Sequence, residues 1–167
     1  MISLDLLKAK TILDIIIKFV LLILYGVHNT IYILIKLPHK LMNKVHHTAI
    51  ICSNYEISKQ FYIDVLGLEI IREVYREERQ SYKLDLALNG EYIIELFSFP
   101  NPPQRPSRPE ACGLRHVAFE VDDLELIIAH CKNNNVIAEP IRVDEFTNKR
   151  FTFISDPDDL PIEFYEK

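Results

Sequence analysis

The amino-acid sequence repeats one pattern of elements in two segments, and this repeat limits the possible folds more than any other feature. Residues 44–99 and 113–167 each predict a strand, a helix and three further strands, from their hydrophobic periodicity and turn residues. His47 and His116 lie in the first strands, and each precedes the capping glutamate of the next helix by nine residues. The expected fold is therefore α+β, built from two βαβββ modules.

Short motifs predict where the elements of each module begin and end. Ser53 and Asp122 open capping boxes and are the predicted N-caps of the two helices. Gly67 suits the left-handed conformation that commonly ends a helix. Asn89-Gly90 separates two apolar runs and predicts a two-residue type I′ hairpin turn. The modules therefore share one order of elements.

The last strand of each module carries a glutamate inside an apolar run. Glu95 follows His47 by 48 residues, and Glu163 follows His116 by 47 residues. A carboxylate buried on such a strand needs a partner, because an unpaired buried charge is costly or forces the group to neutralise. If the modules pack with pseudo-two-fold symmetry, both histidine–glutamate pairs can meet at one point.

The predicted meeting point has the donors of a metal site. Two imidazoles and two carboxylates suit a borderline divalent cation such as Zn, Ni, Co, Mn or Fe. A single strand histidine or glutamate is more often structural, so the prediction depends on the matched spacings and matched residue types of the pairs. The predicted metal ligands are His47, Glu95, His116 and Glu163.

Five motifs follow one another along residues 44–167. They are HTAI, FYIDVLGLEI, IIELF, LRHVAFEVDD and FTFISDPDDLPIEFYE. In this order they resemble the vicinal oxygen chelate superfamily, and most closely its small bacterial glyoxalase I-like proteins. The resemblance implies that the two modules form an open barrel. It also places the family's metal ligands on the four positions named above.

The resemblance implies a metal-dependent lyase or isomerase that moves a proton next to a carbonyl of a small substrate with vicinal oxygens. By resemblance Glu163 is the catalytic base and Glu95 the more purely structural ligand, a distinction that the residues alone do not make. Ile51 and Phe99 stand where glyoxalase I has an arginine and an asparagine that bind glutathione. These two departures argue against a glutathione adduct as the substrate.

Two other functions on the same fold stay open. One is an iron-dependent dioxygenase, and the other is a non-catalytic ligand-binding protein of the resistance type. The second commonly lacks a full metal set, whereas this chain keeps all four ligand types. Candidate groups for an anionic substrate are Arg105 and Arg108, in the proline-rich segment 100–112, and Arg150 at the start of a strand. For the first two, solvated charges on a plain linker are the simpler explanation.

Residues 1–41 form a leader before the modules, and its stretch 11–37 is dominated by Ile, Leu, Val and Phe. This stretch predicts a hydrophobic helix and meets the length of about 20 residues that a membrane span needs. The leader is either a membrane anchor or an over-long gene start, because a chain beginning at Met42 would also look complete. The lysines after the stretch favour, for an anchor, a domain facing the cytoplasm.

Charge and cysteine content restrict the partners. The net charge is −5 and the isoelectric point is near 5.7, which argues against a nucleic-acid partner. The three cysteines form no C-x-x-C pair, which suits a reducing cytoplasm. We expect a small-molecule substrate and a homodimer, with membrane association confined to residues 11–37. The two modules that share a site belong either to one chain or to two.

Overall fold

The structure is a computed structural model that describes residues 4–36 and 41–167, with side chains described for 11–27 and for 41 onward. It contains two compact units, Met1–Lys44 and Val45–Lys167.

The first unit contains the helix α1, Leu4–Lys36. The N-terminal helix predicted from the sequence is therefore present. The sequence also predicted a possible membrane anchor here. In the described parts of the chain, no helix combines the length and the apolar character that crossing a membrane requires.

The second unit contains both predicted βαβββ modules. The first module consists of β1 (Thr48–Cys52), α2 (Tyr55–Gln60) continued by a π-helical turn (Phe61–Val65), β2 (Glu69–Arg76), a 3₁₀ turn (Glu77–Arg79), β3 (Ser81–Leu88) and β4 (Glu91–Ser98). The second module consists of β5 (Val117–Val121), α3 (Leu124–Asn133), β6 (Arg142–Val143), β7 (Arg150–Ser155) and β8 (Pro161–Glu166). The α+β fold with a duplicated module is confirmed.

Each module forms a four-stranded mixed sheet. The strand order is β1-β4-β3-β2 in the first module and β5-β8-β7-β6 in the second. The first strand of each module pairs in parallel with the last, and the other pairs are antiparallel. Ala49 pairs with Glu95, and Ala118 pairs with Glu163. The two modules thus repeat the same strand pairing as well as the same sequence pattern. The open barrel stays a prediction.

The predicted helix N-caps are wrong by one residue in both modules. The side chain of Asn54 accepts a hydrogen bond from the amide three residues later, at 3.2 Å, and Asp123 does the same at 2.9 Å. The backbone N–H of Ser53 instead donates to Asp158, at 2.9 Å. Because both caps shift by the same single residue, the spacing that defines the repeat is unchanged.

The predicted turns are confirmed. Gly67 ends the first helical segment with φ 68°, and Asn89 and Gly90 have φ 51° and 77° between β3 and β4. Positive φ at both central residues is what a type I′ hairpin requires. Asp159, in the turn before β8, also adopts a positive φ of 62°. That turn therefore takes the left-handed conformation without a glycine.

The core lies on one face of each sheet and continues from one module to the other. The buried side chains from both modules form one cluster that includes Ile50, Tyr62, Leu84, Ile94, Leu96, Leu124, Ile162 and Phe164. Within it, the Tyr62 hydroxyl donates to Asp156 Oδ2 at 2.9 Å. Burial raises the pKa of Asp156. We call the opposite faces of the two sheets the open faces, and the predicted ligands lie there.

Candidate metal centre

The first predicted ligand pair lies on the open face of the first module. His47 directly precedes β1, so alternation along the strand places it on the same face as Ala49. Ala49 is paired with Glu95 on β4. His47 Nε2 lies 3.2 Å from Glu95 Oε2, with the side chains 32% and 13% exposed. The structure therefore brings these two of the four predicted ligands into contact.

The second predicted pair repeats this geometry. His116 directly precedes β5, and Ala118 on β5 is paired with Glu163 on β8. His116 Nε2 lies 3.1 Å from Glu163 Oε2, with the side chains 34% and 13% exposed. The two half-sites, His47–Glu95 and His116–Glu163, thus share one strand position and have nearly the same separation and burial.

The two half-sites do not form one cluster within a chain. Over residues 4–36 and 41–167, no group of three or more His, Cys, Asp or Glu side chains is placed to hold a metal ion. The four predicted ligands therefore occur as two separate pairs on one chain.

Glu95 has a second partner that the sequence analysis missed. Lys83 Nζ lies 2.6 Å from Glu95 Oε1, the carboxylate oxygen not directed at the histidine. Burial acts to raise the pKa of Glu95, but hydrogen bonds from Lys83 and Tyr92 outweigh it and lower the pKa. The sequence contained a sign of this contact, because polar and apolar residues alternate in Lys83-Leu84-Asp85-Leu86. This alternation places the lysine and the aspartate on one face of β3.

Asp85 continues this network away from the half-site. Its side chain is 2% exposed, and it receives Lys83 Nζ at 2.5 Å and the Tyr92 hydroxyl at 3.0 Å. Arg72 donates to Asp85 Oδ2 through Nε at 2.9 Å and through a terminal nitrogen at 2.5 Å. Burial acts to raise the pKa of Asp85, but these hydrogen bonds outweigh it and lower the pKa. The buried carboxylate is therefore held ionised.

The surroundings of the two half-sites differ. Asp85 is the cross-strand neighbour of Glu95, whereas Phe153 is the cross-strand neighbour of Glu163. Tyr92 stacks on the His47 ring with centroids 4.9 Å apart. Phe153 meets the ring of the second histidine edge-on, at 5.4 Å. The glutamate of the first half-site therefore has a charged cross-strand neighbour, whereas the glutamate of the second has an aromatic one.

The three predicted substrate-binding arginines have partners of their own. Arg105 donates to the backbone carbonyl of Leu114 and, through Nε, to a nearby serine hydroxyl at 3.0 Å. Arg150 pairs with two glutamates at 2.7 and 2.5 Å. Arg108 is 75% exposed and its nearest carboxylate, on Glu139, is 3.9 Å away. Of the three, Arg108 is the one whose guanidinium remains largely in solvent.

The half-sites fit a divalent metal. Metal–ligand bonds near 2.1 Å place neighbouring ligands of a six-coordinate ion about 3 Å apart. The nitrogen–oxygen separations of 3.2 and 3.1 Å in the two pairs match that distance. Imidazole nitrogen with carboxylate oxygen is a donor set for Zn, Ni, Co, Mn or Fe.

Comparisons with known proteins agree with this fold. The model of the glyoxalase/bleomycin resistance protein/dioxygenase superfamily matches residues 44–164. The chain is 62% identical to YaeR of Escherichia coli strain K12 over 126 residues, which is 75% of this chain and 98% of YaeR. The crystal structure of a glyoxalase family protein from Enterococcus faecalis is 46% identical, with a TM-score of 0.71, covering 76% of this chain and 100% of that one.

A more distant structure shares the fold alone. It is a mutant of the fosfomycin resistance protein FosX from Listeria monocytogenes, in complex with Mn(II) and 1S,2S-dihydroxypropylphosphonic acid. Its identity is 16% and its TM-score is 0.59, over 75% of this chain and 93% of that one. The family match covers both modules and both half-sites. The chain belongs to the glyoxalase/bleomycin resistance protein/dioxygenase superfamily.

Proposed function

We propose that the protein is a metal-dependent lyase or isomerase of the glyoxalase I type, which moves a proton within a small substrate that carries vicinal oxygens. The observation that carries this proposal is the pair of matched half-sites. Each places an imidazole nitrogen 3.1–3.2 Å from a carboxylate oxygen, on equivalent strands of the two modules. Two histidine–glutamate pairs with nearly the same separation, on equivalent strands of both modules, are not expected by chance.

We further propose that one complete site combines the first half-site of one copy with the second half-site of another copy in a homodimer. Both half-sites lie on open faces, which the core of the same chain leaves uncovered. The open face of the first sheet also exposes apolar side chains, with Ile51 55% and Val74 40% exposed. A symmetric partner would bury this apolar surface and bring two unlike half-sites together.

The four predicted ligands would hold the metal, and Glu163 would also transfer the proton. When bound, the metal would polarise the vicinal oxygens of the substrate and stabilise negative charge on them. Glu163 would accept the proton at a carboxylate oxygen and return it to the neighbouring carbon. Lys83 already occupies one oxygen of Glu95 at 2.6 Å, which favours Glu163 as the base.

Aromatic side chains would keep water away from the base. Phe153 is the cross-strand neighbour of Glu163, and Phe151 is the neighbour of Tyr165 on the same open face. The rings of Phe151 and Phe153 are half-buried and lie 6.0 Å apart. Arg108 stays a candidate for an anionic part of the substrate, because its charge is the most accessible of the three arginines proposed from the sequence.

Metal binding by the full chain tests the proposal. We expect the chelator-treated protein to take up one divalent ion per complete site under anaerobic conditions, measured by elemental analysis. His47→Ala and His116→Ala should each reduce uptake at least tenfold, since each removes one of four ligands, whereas His130→Ala, on α3, serves as the control. Absence of binding in the unmodified protein would exclude a metal-dependent activity.

The role of the base is tested separately with the loaded protein, using methylglyoxal and thiols as substrates. Glu163→Gln should keep most of the metal and lose turnover by a factor on the order of 100 or more. Full activity of Glu163→Gln would exclude Glu163 as the base. Turnover that requires oxygen would replace the isomerase by an iron-dependent dioxygenase.

A further inference from the structure

Lys83 contacts a predicted metal ligand from the side away from the histidine. Its Nζ lies 2.6 Å from Glu95 Oε1, whereas Glu95 Oε2 faces His47 Nε2 at 3.2 Å. The lysine side chain is 23% exposed. A partly exposed cation therefore lies next to the first half-site.

The ammonium group of Lys83 retains a donor. It carries three N–H groups. Among the residues that the structure describes, its carboxylate acceptors are two, Glu95 at 2.6 Å and Asp85 at 2.5 Å. The third N–H can donate to a ligand without breaking either contact.

The charges around Lys83 change when a divalent ion is added. In the metal-free chain, Arg72 neutralises Asp85, and Lys83 neutralises Glu95. A divalent ion held by Glu95 and Glu163 has both of its charges neutralised by those two carboxylates. The positive charge of Lys83 is then left without an equal negative charge, and a partly buried site with such an excess attracts anions.

Near the opposite half-site, the described cation over the open face is Arg142. The open face there carries Phe151 and Phe153, and Arg142 lies over them with Cζ 5.0 and 5.2 Å from the ring centroids. Arg142 also forms an ion pair with Glu139 at 2.8 Å, so a carboxylate already neutralises its charge. Of these two cations, Lys83 is the one in direct contact with a predicted metal ligand.

We propose that Lys83 selects the charge of the substrate by donating a hydrogen bond to an anionic oxygen next to the substrate's two vicinal oxygens. The substrate class is a compact hydroxy or oxo acid with a carboxylate beyond the vicinal pair, because charge-assisted hydrogen bonds from an ammonium are strongest to such oxygens. This inference rests on the proposed function, since it requires the metal to hold the vicinal oxygens.

The test compares two probes with the Mn(II)-loaded full chain by isothermal titration calorimetry. Glycolate offers one hydroxyl and one carboxylate, and tartronate adds a second carboxylate. Lys83→Met removes the charge and keeps the aliphatic length. Lys59→Met is the matched control, because Lys59 is also 23% exposed and pairs with Glu73 at 2.7 Å on the other face of the sheet. Each variant is first titrated with Mn(II) alone.

We expect the wild-type protein to bind tartronate about tenfold to 100-fold more tightly than glycolate, as a charge-assisted contact predicts. Lys83→Met and Lys83→Gln should both bring the ratio of tartronate to glycolate affinity, measured at saturating Mn(II), to within about threefold of one. Because Lys83 contacts the predicted ligand Glu95, the Mn(II) titration of each variant sets the metal concentration used. Lys59→Met should behave as wild type.

Two results would overturn the inference in different ways. An equal preference for tartronate in wild type and in both Lys83 variants would exclude the role of the lysine and leave the proposed function intact. If the wild-type protein binds neither Mn(II) nor any other divalent ion tested, both the role of Lys83 and the proposed metal-dependent function are excluded.

Discussion

Asp85 is a nearly inaccessible carboxylate that three side chains hold in its charged form. Arg72, Lys83 and Tyr92 each place a donor within 3.0 Å of its oxygens. Their hydrogen bonds outweigh the effect of burial, so the pKa of Asp85 lies below its usual value of 3.8. The stabilisation is therefore complete above the pKa of the unfolded chain and is lost as the pH falls through the lower pKa of the folded protein.

Asp85→Asn should lower the free energy of unfolding by about 2 kcal/mol at pH 6, because charge-assisted hydrogen bonds are replaced by weaker ones. The difference from wild type should begin to shrink below about pH 4, where the aspartate of the unfolded chain becomes protonated, and should shrink further as the pH falls through the lower pKa of the folded protein. Urea unfolding followed by circular dichroism at pH 6 and pH 3 measures both values.

The control for this prediction is Asp122→Asn, because the Asp122 side chain is 89% exposed and its lysine partner is 3.9 Å away. That variant should change stability little at either pH. If Asp85→Asn lowers the free energy of unfolding equally at both pH values, the stabilisation by Asp85 depends on its shape rather than on its charge.

The sequence predicted that Glu95 needs a partner but did not predict Lys83. The polar residues of β3 alternate clearly, so their common face was accessible from the sequence. Which residues they meet depends on register, and a bulge interrupts the pairing of β3 with β4 between Leu86 and Ala87. Neither the bulge nor the resulting Asp85–Glu95 pairing follows from local pattern. The two histidine–glutamate pairs were predictable because the two modules gave spacings of 48 and 47 residues.

The first residues of the two helices show that a local capping motif does not always predict the N-cap. Ser53 and Asp122 satisfy the capping-box pattern, yet Asn54 and Asp123 make the caps. Asx side chains accept amide hydrogen bonds at least as well as serine does. The tertiary contact of the Ser53 amide with Asp158 favours the later start, and this contact joins residues 105 positions apart. Long-range hydrogen bonds of that kind cannot be predicted from a local motif.

Asn54→Ala should therefore destabilise the protein by about 1 kcal/mol, the usual effect of removing an N-cap side chain. Ser53→Ala is the matched control and should change stability by less than about 0.5 kcal/mol, since its contact to Asp158 uses the backbone. Thermal and urea unfolding of the two variants measure the difference. A larger effect for Ser53→Ala would restore the capping box as the helix start.

At the scale of the whole molecule, the proposed homodimer makes each site depend on two chains. Two defective chains can then complement one another. One variant carries His47→Ala and Glu95→Ala, and the other carries His116→Ala and Glu163→Ala. If each is unfolded and the two are refolded together, heterodimers form that contain one intact site and one site without any of its four ligands.

The mixture should recover tight Mn(II) binding in about a quarter of all sites, since half of the dimers are heterodimers and half of their sites are intact. Each variant refolded alone should bind Mn(II) weakly. Calorimetric stoichiometry gives the fraction directly, and sedimentation checks the dimers. No recovery in folded, dimeric mixtures would show that the two half-sites act within one chain.

The unlike surroundings of the two half-sites also have a stereochemical consequence under the proposed function. A substrate held between a lysine on one wall and phenylalanine rings on the other has a single allowed orientation, so its two reacting carbons are distinguishable. Glu163, on the second module, would then approach them from one side. A proton returned from that side would create a stereocentre of one handedness, so the divergence of the duplicated module would decide the chirality of the product.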